Sequence, residues 1–319
     1  MKPRVLVGAP LVGDHVERLT DVADVEQVEA EGGLPRDELL RRVADKEGLL
    51  ALLTYRIDAE LLAAAPRLRV VANHAVGFDN VDLDACRARN VVVTNTPGVL
   101  TEATADLTFG LIIDACRRIS EGDRLVRDAG FPSWSASLLL GRRVFGATLG
   151  IVGLGRIGQA VARRARGFGM RVLYSSHRRA HPDVERALGA THLELDALLA
   201  QADVVTLHAR LDDTTRGLLS RERLSMMKRG AILVNTARGP LVNEHALAEL
   251  LRDGHLGGAG LDVYEREPSI DPLLLELDNV VLAPHIGSAD RDTRDAMARL
   301  ACEGLRDVLL GREPAHRVV

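Results

Sequence analysis

The stretch that decides the fold is "TLGIVGLGRIGQAVARRARGFG", Thr148–Gly169, where an apolar run meets three glycines and an alanine-rich segment. Gly153, Gly155 and Gly158 have the G-x-G-x-x-G spacing that connects a strand to a helix in dinucleotide-binding units. The first glycine allows a tight turn, the second lets a pyrophosphate approach the backbone, and the third lets helix pack on strand. The N-terminus of the helix then offers N–H groups and partial positive charge to phosphates.

The spacing alone is weak support, because the chain has 29 glycines. Its setting favours dinucleotide binding, since a strand precedes the glycines, a helix follows them and further strands come later. The alternative is a glycine-rich turn that only packs a helix on a strand. That alternative leaves the polar strand ends described below unexplained.

Short β-branched runs recur along the chain and alternate with segments of helical periodicity. Such runs are typical of parallel sheets that are buried on both faces. They predict an α/β fold with two doubly wound, Rossmann-like domains. The runs are "RVLV" (4–7), "GLLALL" (48–53), "RVVAN" (69–73), "VVVTN" (91–95), "RVLYS" (171–175), "DVVTL" (203–207), "AILVN" (231–235), "GAGLDV" (258–263) and "VVLAP" (280–284).

The length of 319 residues also predicts two domains. A long helical stretch over 101–126 follows the fourth strand, and an amphipathic helix over 290–311 ends the sequence. That last helix comes too late to be needed by the middle unit, so the chain is expected to leave one domain, build another and return. We therefore expect a dinucleotide-binding domain over 100–286, inserted into a substrate-binding, catalytic domain formed by 1–99 and 287–319.

Composition excludes several classes of function. The formal net charge is −4, so no global basic field attracts nucleic acid or an anionic membrane. No apolar run approaches the ~20 residues that span a bilayer, and no secretory signal pattern is visible. The three cysteines form no C-x-x-C pair, which argues against a disulfide framework or a metal site. We expect a soluble cytoplasmic protein without metal.

Three apolar runs in the second half of the chain lead into polar residues with complementary chemistry. Arg238 follows "AILVN", Glu267 follows "GAGLDV", and His285 follows "VVLAP". The carboxyl ends of strands are where open α/β sheets bind ligands. An arginine fork can hold a carboxylate, and a carboxylate beside an imidazole suits it for general acid–base catalysis. Each residue alone would be read as structural or solvated, but together they predict one catalytic site.

A basic turn follows the second strand of the middle unit, in "YSSHRR" (174–179). An acidic residue is expected there, about twenty residues after the glycines, to bind the ribose hydroxyls of NAD. The sequence has Ser176 instead, followed by His177, Arg178 and Arg179, which offer donors and positive charge to a 2′-phosphate. We interpret this as a preference for NADP(H), with NAD(H) as the other usable cofactor. An exposed basic turn that touches nothing is the competing interpretation.

The motifs "GLGRIG", "NTARGP", "GLDVYEREP" and "PHIGS" resemble those of the D-isomer-specific 2-hydroxyacid dehydrogenase family. The resemblance runs along almost the whole chain and is strongest to the glyoxylate/hydroxypyruvate reductase subgroup. It implies NADPH-dependent reduction of a small 2-keto acid to the D-2-hydroxy acid. By resemblance, Arg238 binds the carboxylate and keto oxygen, His285 protonates that oxygen, and Glu267 holds His285 in its charged form.

The resemblance also implies the remaining site residues. On the substrate, besides Arg238 and His285, it places Leu53, Thr54, Val76, Gly77 and Trp134. Around the cofactor it places Gly153, Gly155, Arg156, Ile157, Gly158, Ser176, His177, Arg178, Arg179, His208, Thr215, Thr236, Ala237, Asp262 and Gly287.

Members of this family are typically homodimers, and in the reductase subgroup a tryptophan matching Trp134 reaches the neighbour's substrate pocket. Hydrophobic anchoring of its own loop is the equal alternative for Trp134. Tyr55 stands where relatives often have a smaller or acidic residue, which leaves the size of the substrate open.

Two alternatives to glyoxylate or hydroxypyruvate reduction stay open at this stage. One is a dehydrogenase for another 2-hydroxy acid, of the lactate type or phosphoglycerate-like, because one methylene changes discrimination by only ~1–3 kcal/mol. The other is a non-enzymatic, dinucleotide-sensing interaction protein on the same fold.

Overall fold

The computed structural model describes all residues, Met1–Val319, and the chain divides into two compact units. The discontinuous unit comprises Met1–Leu100 and Ser288–Val319, and the inserted unit comprises Thr101–Gly287. The boundaries expected after residues 99 and 286 lie one residue before those of the two units.

The discontinuous unit contains a five-stranded parallel sheet in the order β2-β1-β3-β4-β5. The central strands β3 and β4 are buried at every position, which explains why their sequences are apolar without alternation. The strands are β1 (Arg4–Val7), β2 (Asp24–Gln27), β3 (Gly48–Ala51), β4 (Val70–Asn73) and β5 (Val92–Thr94), with helices α1 (Arg36–Val43), α2 (Ala59–Ala64) and α3 (Leu83–Ala88).

The inserted unit contains a seven-stranded parallel sheet in the order β12-β11-β10-β9-β6-β7-β8. The strands are β6 (Thr148–Val152), β7 (Arg171–Ser175), β8 (Ala190–His192), β9 (Val204–Leu207), β10 (Ile232–Asn235), β11 (Gly258–Leu261) and β12 (Val280–Leu282). Its helices are α4 (Thr101–Arg117), α5 (Ile119–Arg127), α6 (Arg156–Gly167), α7 (Pro182–Leu188), α8 (Leu195–Gln201), α9 (Arg221–Met226), α10 (Glu244–Arg252) and α11 (Pro272–Leu275).

The direction of strand addition reverses between β6 and β9 in this sheet. Such a switch point is where doubly wound sheets bind dinucleotides, and the three glycines directly follow β6. The predicted doubly wound α/β fold is therefore confirmed.

The chain returns to the discontinuous unit through its last helix, α12 (Arg291–Leu309). Asp290 caps this helix by accepting the Thr293 N–H at 2.8 Å. The buried face of α12 joins one face of the sheet in a single apolar cluster that includes Val70, Ala301 and Leu305. Helix α12 thus buries one face of the five-stranded sheet.

Three elements differ from the sequence prediction. The helical stretch over 101–126 is two helices, because Arg118 adopts a left-handed φ of 56° between α4 and α5. Asp114 accepts the Ser120 N–H at 2.8 Å and so stabilises the new helix start without glycine or proline. The strands β2 and β8 were missed because both are short edge strands with polar residues.

The backbones of β6, the loop after it and α6 approach one another closely. Gly153 has a φ of 98°, and a Cβ there would lie 2.6 Å from the His208 carbonyl. A Cβ on Gly158 would lie 2.2 Å from the Gly153 carbonyl oxygen. Both glycines are therefore required by close backbone approach.

We predict that Gly158→Ala destabilises the inserted unit by about 1–3 kcal/mol, the usual cost of overpacking. Gly167→Ala is the matched control in the same helix, because a Cβ there meets no atom within 4 Å. The control should gain about 0.5–1 kcal/mol from reduced backbone freedom in the unfolded state. Urea unfolding of both variants measures this, and equal midpoints would contradict the tight contact.

Candidate active site

The loop after β6 presents backbone rather than side chains. Gly155 is the N-cap of α6, has no side-chain cap, and could carry a Cβ that meets nothing within 4 Å. Arg156 and Ile157 form the first turn of the helix behind it. An open backbone turn at a helix N-terminus fits a pyrophosphate, which accepts N–H groups and favours the positive end of the helix.

The turn after β7 begins next to this loop. The Ser176 hydroxyl accepts the Leu154 N–H at 2.7 Å, so Ser176 is tied to the glycine loop. His177 and Arg178 are exposed and have no hydrogen-bond or ion-pair partner within the chain. Two of the predicted donors are therefore available to a ligand beside Ser176.

Arg179 is placed differently from the other residues of the basic turn. Its Nε and Nη2 donate to the two carboxylate oxygens of Glu185 in α7, at 2.8 and 3.0 Å. The sequence offered no sign of this pairing, because Glu185 looks like an ordinary surface glutamate in a short helix.

Three adjacent strands, β10, β11 and β12, end at the predicted catalytic residues. Asn235, the last residue of β10, accepts the Ala237 N–H at 3.0 Å and donates to the Arg238 carbonyl at 2.9 Å. These two bonds fix the backbone from which the half-buried Arg238 side chain projects. The amide of Asn235 thus closes the turn that follows β10.

His285 and Glu267 form a direct pair, with 2.8 Å between Nδ1 and Oε2. The other oxygen of Glu267 accepts the Tyr264 N–H at 3.1 Å. Burial disfavours ionisation of Glu267, but His285, the Tyr264 N–H and the charge of Arg238 outweigh it, so its pKa lies below the ordinary value. The carboxylate is thus ionised and orients the imidazole, leaving Nε2 for other contacts.

The buried carboxylate of Asp262 holds the loop that carries His285. Its two oxygens accept the N–H groups of Ile286 and Gly287 at 2.7 and 2.8 Å, and only 1% of the residue is exposed. Burial raises the pKa of Asp262, although these N–H groups and the charge of His285 counteract it. Both Asp262 and Gly287, which sequence resemblance placed near the cofactor, are joined by this contact.

The remaining predicted cofactor residues lie at other strand ends of the inserted unit. The Thr236 and Thr108 hydroxyls are 2.8 Å apart, and Ala237 is half-buried next to them. Burial lowers the pKa of His208, after β9, to about 3, so its ring is neutral. Thr215 donates its hydroxyl to the Arg210 carbonyl at 2.7 Å. Thr215 thus stabilises the turn that follows β9.

In the discontinuous unit, two asparagines hold the loop that follows β4. Asn73 donates to the Gly77 carbonyl at 2.7 Å, and Asn95 donates to the Val76 carbonyl at 2.8 Å. The N–H groups of Val76 and Gly77 have no acceptor within the chain. These asparagines were missed as functional residues, although an amide directly at a strand end was visible in "RVVAN" and "VVVTN".

Tyr55, whose difference from relatives leaves the size of the substrate open, holds the loop after β3 from the core of its unit. Its hydroxyl donates to the Gly8 carbonyl at 2.9 Å and accepts the Leu34 N–H at 2.7 Å. The ring is buried in the core of the unit, and Asn80 donates to the Tyr55 carbonyl at 2.9 Å. Tyr55 therefore anchors the loop that carries the half-buried Leu53 and the exposed Thr54.

Trp134 is 81% exposed in the segment between α5 and β6. It belongs to a set of exposed apolar side chains within the same unit, so it does not anchor its own loop by burial. The set within 119–145 consists of Ile119, Val126, Phe131, Trp134, Leu138, Leu140 and Phe145.

Known proteins match both the chain and its architecture. Residues 109–287 match the model of the "D-isomer specific 2-hydroxyacid dehydrogenase, NAD binding domain". The glyoxylate reductase of Thermococcus onnurineus is 47% identical over 309 residues, which cover 96% of this chain and 92% of that protein. A crystal structure of a Thermus thermophilus protein is similar with a TM-score of 0.92 and 50% identity, over 99% of this chain and 100% of that one.

A further solved structure is the NADPH-dependent glyoxylate/hydroxypyruvate reductase of Sinorhizobium meliloti in complex with NADP and malonate. It is similar with a TM-score of 0.88 and 32% identity, over 100% of this chain and 97% of that one. The fold and these matches define an NAD(P)-dependent oxidoreductase, and the chain belongs to the D-isomer-specific 2-hydroxyacid dehydrogenase family. Within that family it falls in the glyoxylate reductase subgroup, as the sequence motifs predicted.

Two features that would define other classes of protein are missing. No three His, Cys, Asp or Glu side chains are grouped as metal ligands. None of the helices has the length and apolar character needed to cross a bilayer.

Glu267 should make stability depend on pH in a defined direction. Its folded-state pKa lies below the ordinary 4.5, so its contribution is complete above that value and is lost as pH falls through the lower one. We expect the urea midpoint of the wild type to exceed that of Glu267→Gln by a margin that shrinks as pH falls from about 5 to about 3. A margin that grows on acidification would contradict this, and Glu276→Gln, an exposed site, serves as control.

Proposed function

We propose that this enzyme uses NADPH to reduce a small 2-keto acid, of the glyoxylate or hydroxypyruvate kind, to the D-2-hydroxy acid. The observation that carries the proposal is the His285–Glu267 pair beside Arg238, at the ends of three adjacent strands of a dinucleotide-type sheet. The subgroup supports the substrate class, since the Sinorhizobium meliloti relative is described as a glyoxylate/hydroxypyruvate reductase.

Arg238 is the proposed anchor of the substrate. Its guanidinium presents N–H donors in a planar fork that suits a carboxylate together with the neighbouring keto oxygen. Positive charge beside the keto oxygen stabilises the negative charge that develops there during reduction. The Asn235 bonds hold the backbone from which this side chain projects, and Nη1 donates to the Ala237 carbonyl at 2.8 Å, so part of the guanidinium is already positioned.

His285 is the proposed proton donor. Its Nδ1 is engaged by Glu267, so Nε2 is the nitrogen that gives its proton to the keto oxygen. The Glu267 carboxylate stabilises the imidazolium before the transfer and sets the plane of the ring. The loop after β6 would hold the pyrophosphate of the cofactor, whose reduced nicotinamide supplies hydride when bound.

The N–H groups of Val76 and Gly77 are proposed as further donors to the substrate carboxylate. Their carbonyls are fixed by Asn95 and Asn73, which leaves two consecutive N–H groups without an acceptor in the chain. Successive backbone N–H groups form a natural anion-binding nest. Leu53 and Thr54 are proposed to complete this part of the substrate site.

We expect wild-type enzyme to oxidise NADPH with glyoxylate or hydroxypyruvate, and Arg238→Ala to lose at least about a hundredfold in kcat/KM, as removal of a transition-state donor does. The NADPH dissociation constant should stay within about threefold, because Arg238 acts on the substrate. Steady-state kinetics and isothermal titration measure the two quantities.

Arg229→Ala, an exposed arginine of the same unit, is the control and should retain full activity. Parallel loss of activity and cofactor binding in Arg238→Ala would show that Arg238 is structural. Absence of NADPH oxidation with glyoxylate, hydroxypyruvate and other small 2-keto acids would overturn the function itself.

The proposed preference for NADP(H) rests on the turn after β7. A carboxylate at position 176 would repel a 2′-phosphate, whereas the Ser176 hydroxyl is neutral and lies beside the glycine loop. His177 and Arg178 add donors without partners in the chain. Arg179 contributes less than its sequence suggests, because its charge is paired with Glu185.

The ratio of kcat/KM for NADPH over NADH should exceed one in the wild type and fall about tenfold to a hundredfold in Ser176→Asp/Arg178→Ala. That range is expected when one charge-assisted hydrogen bond to the 2′-phosphate is removed and one repulsive carboxylate is introduced. Arg166→Ala, a basic residue at the far end of α6, is the control and should leave the ratio unchanged. A wild type that prefers NADH would show the interpretation of the turn to be wrong.

We also propose that the enzyme is a homodimer built on the apolar surface of Ile119–Phe145. Helix α5 buries no residue within the chain, and exposed apolar residues continue from it into the following segment. Isolated apolar patches of this kind mark protein–protein contacts. Trp134 is the most exposed member and would contact the partner.

Light scattering should therefore give the mass of two 34.5 kDa chains for the wild type. Val126→Asp/Leu140→Asp should shift the mass to that of one chain, because two charges would be buried without partners. Leu275→Asp, an exposed apolar residue outside this surface, should remain dimeric. A wild type with the mass of one chain at micromolar concentration would refute the dimer.

A further inference from the structure

We propose that Glu185 is a specificity-determining residue for the cofactor: it withholds Arg179 from the 2′-phosphate, so that His177 and Arg178 alone provide the basic contacts. The inference rests on the proposed binding of NADP(H) at the turn after β7. It concerns how strongly that turn discriminates NADP(H) from NAD(H), which the residues of "YSSHRR" alone do not determine.

The pair occupies one edge of the Arg179 guanidinium and neutralises its charge. Nε and Nη2 form that edge, and both donate to Glu185, at 2.8 and 3.0 Å. This is a two-point arrangement by which arginine holds a carboxylate or a phosphate. A phosphate is left with the N–H groups of the other edge, which lie beside the bound Glu185 carboxylate.

Glu185 is anchored well enough to hold the arginine. Only 13% of its side chain is exposed, and Oε1 also accepts the Tyr174 hydroxyl at 2.6 Å. The same hydroxyl accepts the Ala180 N–H at 3.0 Å, which ties the backbone after Arg179 to β7. These contacts lower the pKa of Glu185 to about 2, with the Arg179 hydrogen bonds as the largest cause. The carboxylate is thus charged at any pH at which the enzyme works.

The pair lowers the positive charge that the turn after β7 presents to a phosphate. Without Glu185, Arg178 and Arg179 would present two positive charges, whereas the pair with Glu185 leaves the charge of Arg178 alone. A phosphate that approached Arg179 would also approach the Glu185 carboxylate, and like charges at short range repel. The wild-type turn is therefore expected to prefer NADP(H) while still admitting NAD(H).

The test is a double-mutant cycle on Glu185 and Arg179, read as dissociation constants for NADPH and NADH by isothermal titration. Glu185→Gln keeps the shape and the Tyr174 contact but removes the charge that holds Arg179. We expect it to tighten NADPH about fivefold to tenfold, as one additional charge-assisted hydrogen bond would, and to leave NADH unchanged.

Arg179→Ala tests whether the gain depends on the released arginine. In the wild-type background it leaves the Glu185 carboxylate without its ion-pair partner, so NADPH binding should not improve, and in the Glu185→Gln background it should abolish the gain. Weaker NADPH binding in Glu185→Gln would mean that Glu185 aims Arg179 at the phosphate, and this would overturn the proposal. A gain that survives Arg179→Ala would overturn it too.

Asp183→Asn is the matched control. It removes a carboxylate of the same helix, and that carboxylate pairs with Arg186 rather than with Arg179. It should leave NADPH binding unchanged, and a gain equal to that of Glu185→Gln would attribute the effect to general charge. Failure of the proposed cofactor preference is read separately, from the wild-type NADPH/NADH ratio and from Arg178→Ala. The coupling between Glu185 and Arg179 is measured whichever cofactor the wild type prefers.

Discussion

The buried carboxylate of Asp262 is the constraint on which the predicted catalytic residues of the inserted unit depend. Its oxygens accept two consecutive N–H groups of the loop after β12, and this holds His285 in a left-handed conformation with a φ of 56°. Such a backbone is uncommon for a residue with a side chain and persists only where its surroundings determine it. The loop held in this way places Nδ1 of His285 2.8 Å from Oε2 of Glu267.

In the discontinuous unit, loops are also held by side-chain hydrogen bonds to the backbone, but the side chains there are neutral. Asn73, Asn80 and Asn95 satisfy the carbonyls of the loops after β3 and β4, and Tyr55 fastens one of them from the core. Burying an amide or hydroxyl is costly unless it is hydrogen-bonded, so these bonds favour one loop geometry over its alternatives. Rigid loops are what binding a small carboxylate requires, since so few contacts are available to orient it.

In the turn after β7, the residues that surround a side chain decide whether it is available to a phosphate. Counting basic residues in "YSSHRR" assigns three donors to a phosphate, and the pair with Glu185 removes one of them. Ser176, by contrast, has a contact that the sequence does not show: it accepts the Leu154 N–H and so joins the turn to the glycine loop. The proposed specificity of this enzyme for its cofactor therefore depends on β7, α7 and the loop after β6 together.

The sequence by itself determined the doubly wound fold, the nucleotide loop and the grouping of Arg238, Glu267 and His285. It could do so because glycine spacing is a local backbone requirement and parallel strands bring their carboxyl ends to one edge. Tertiary structure alone decided the break at Arg118, the inward direction of Tyr55 and the partner of Arg179. These features depend on which group lies opposite a side chain in space, and a long polar side chain can satisfy several partners equally well until packing selects one.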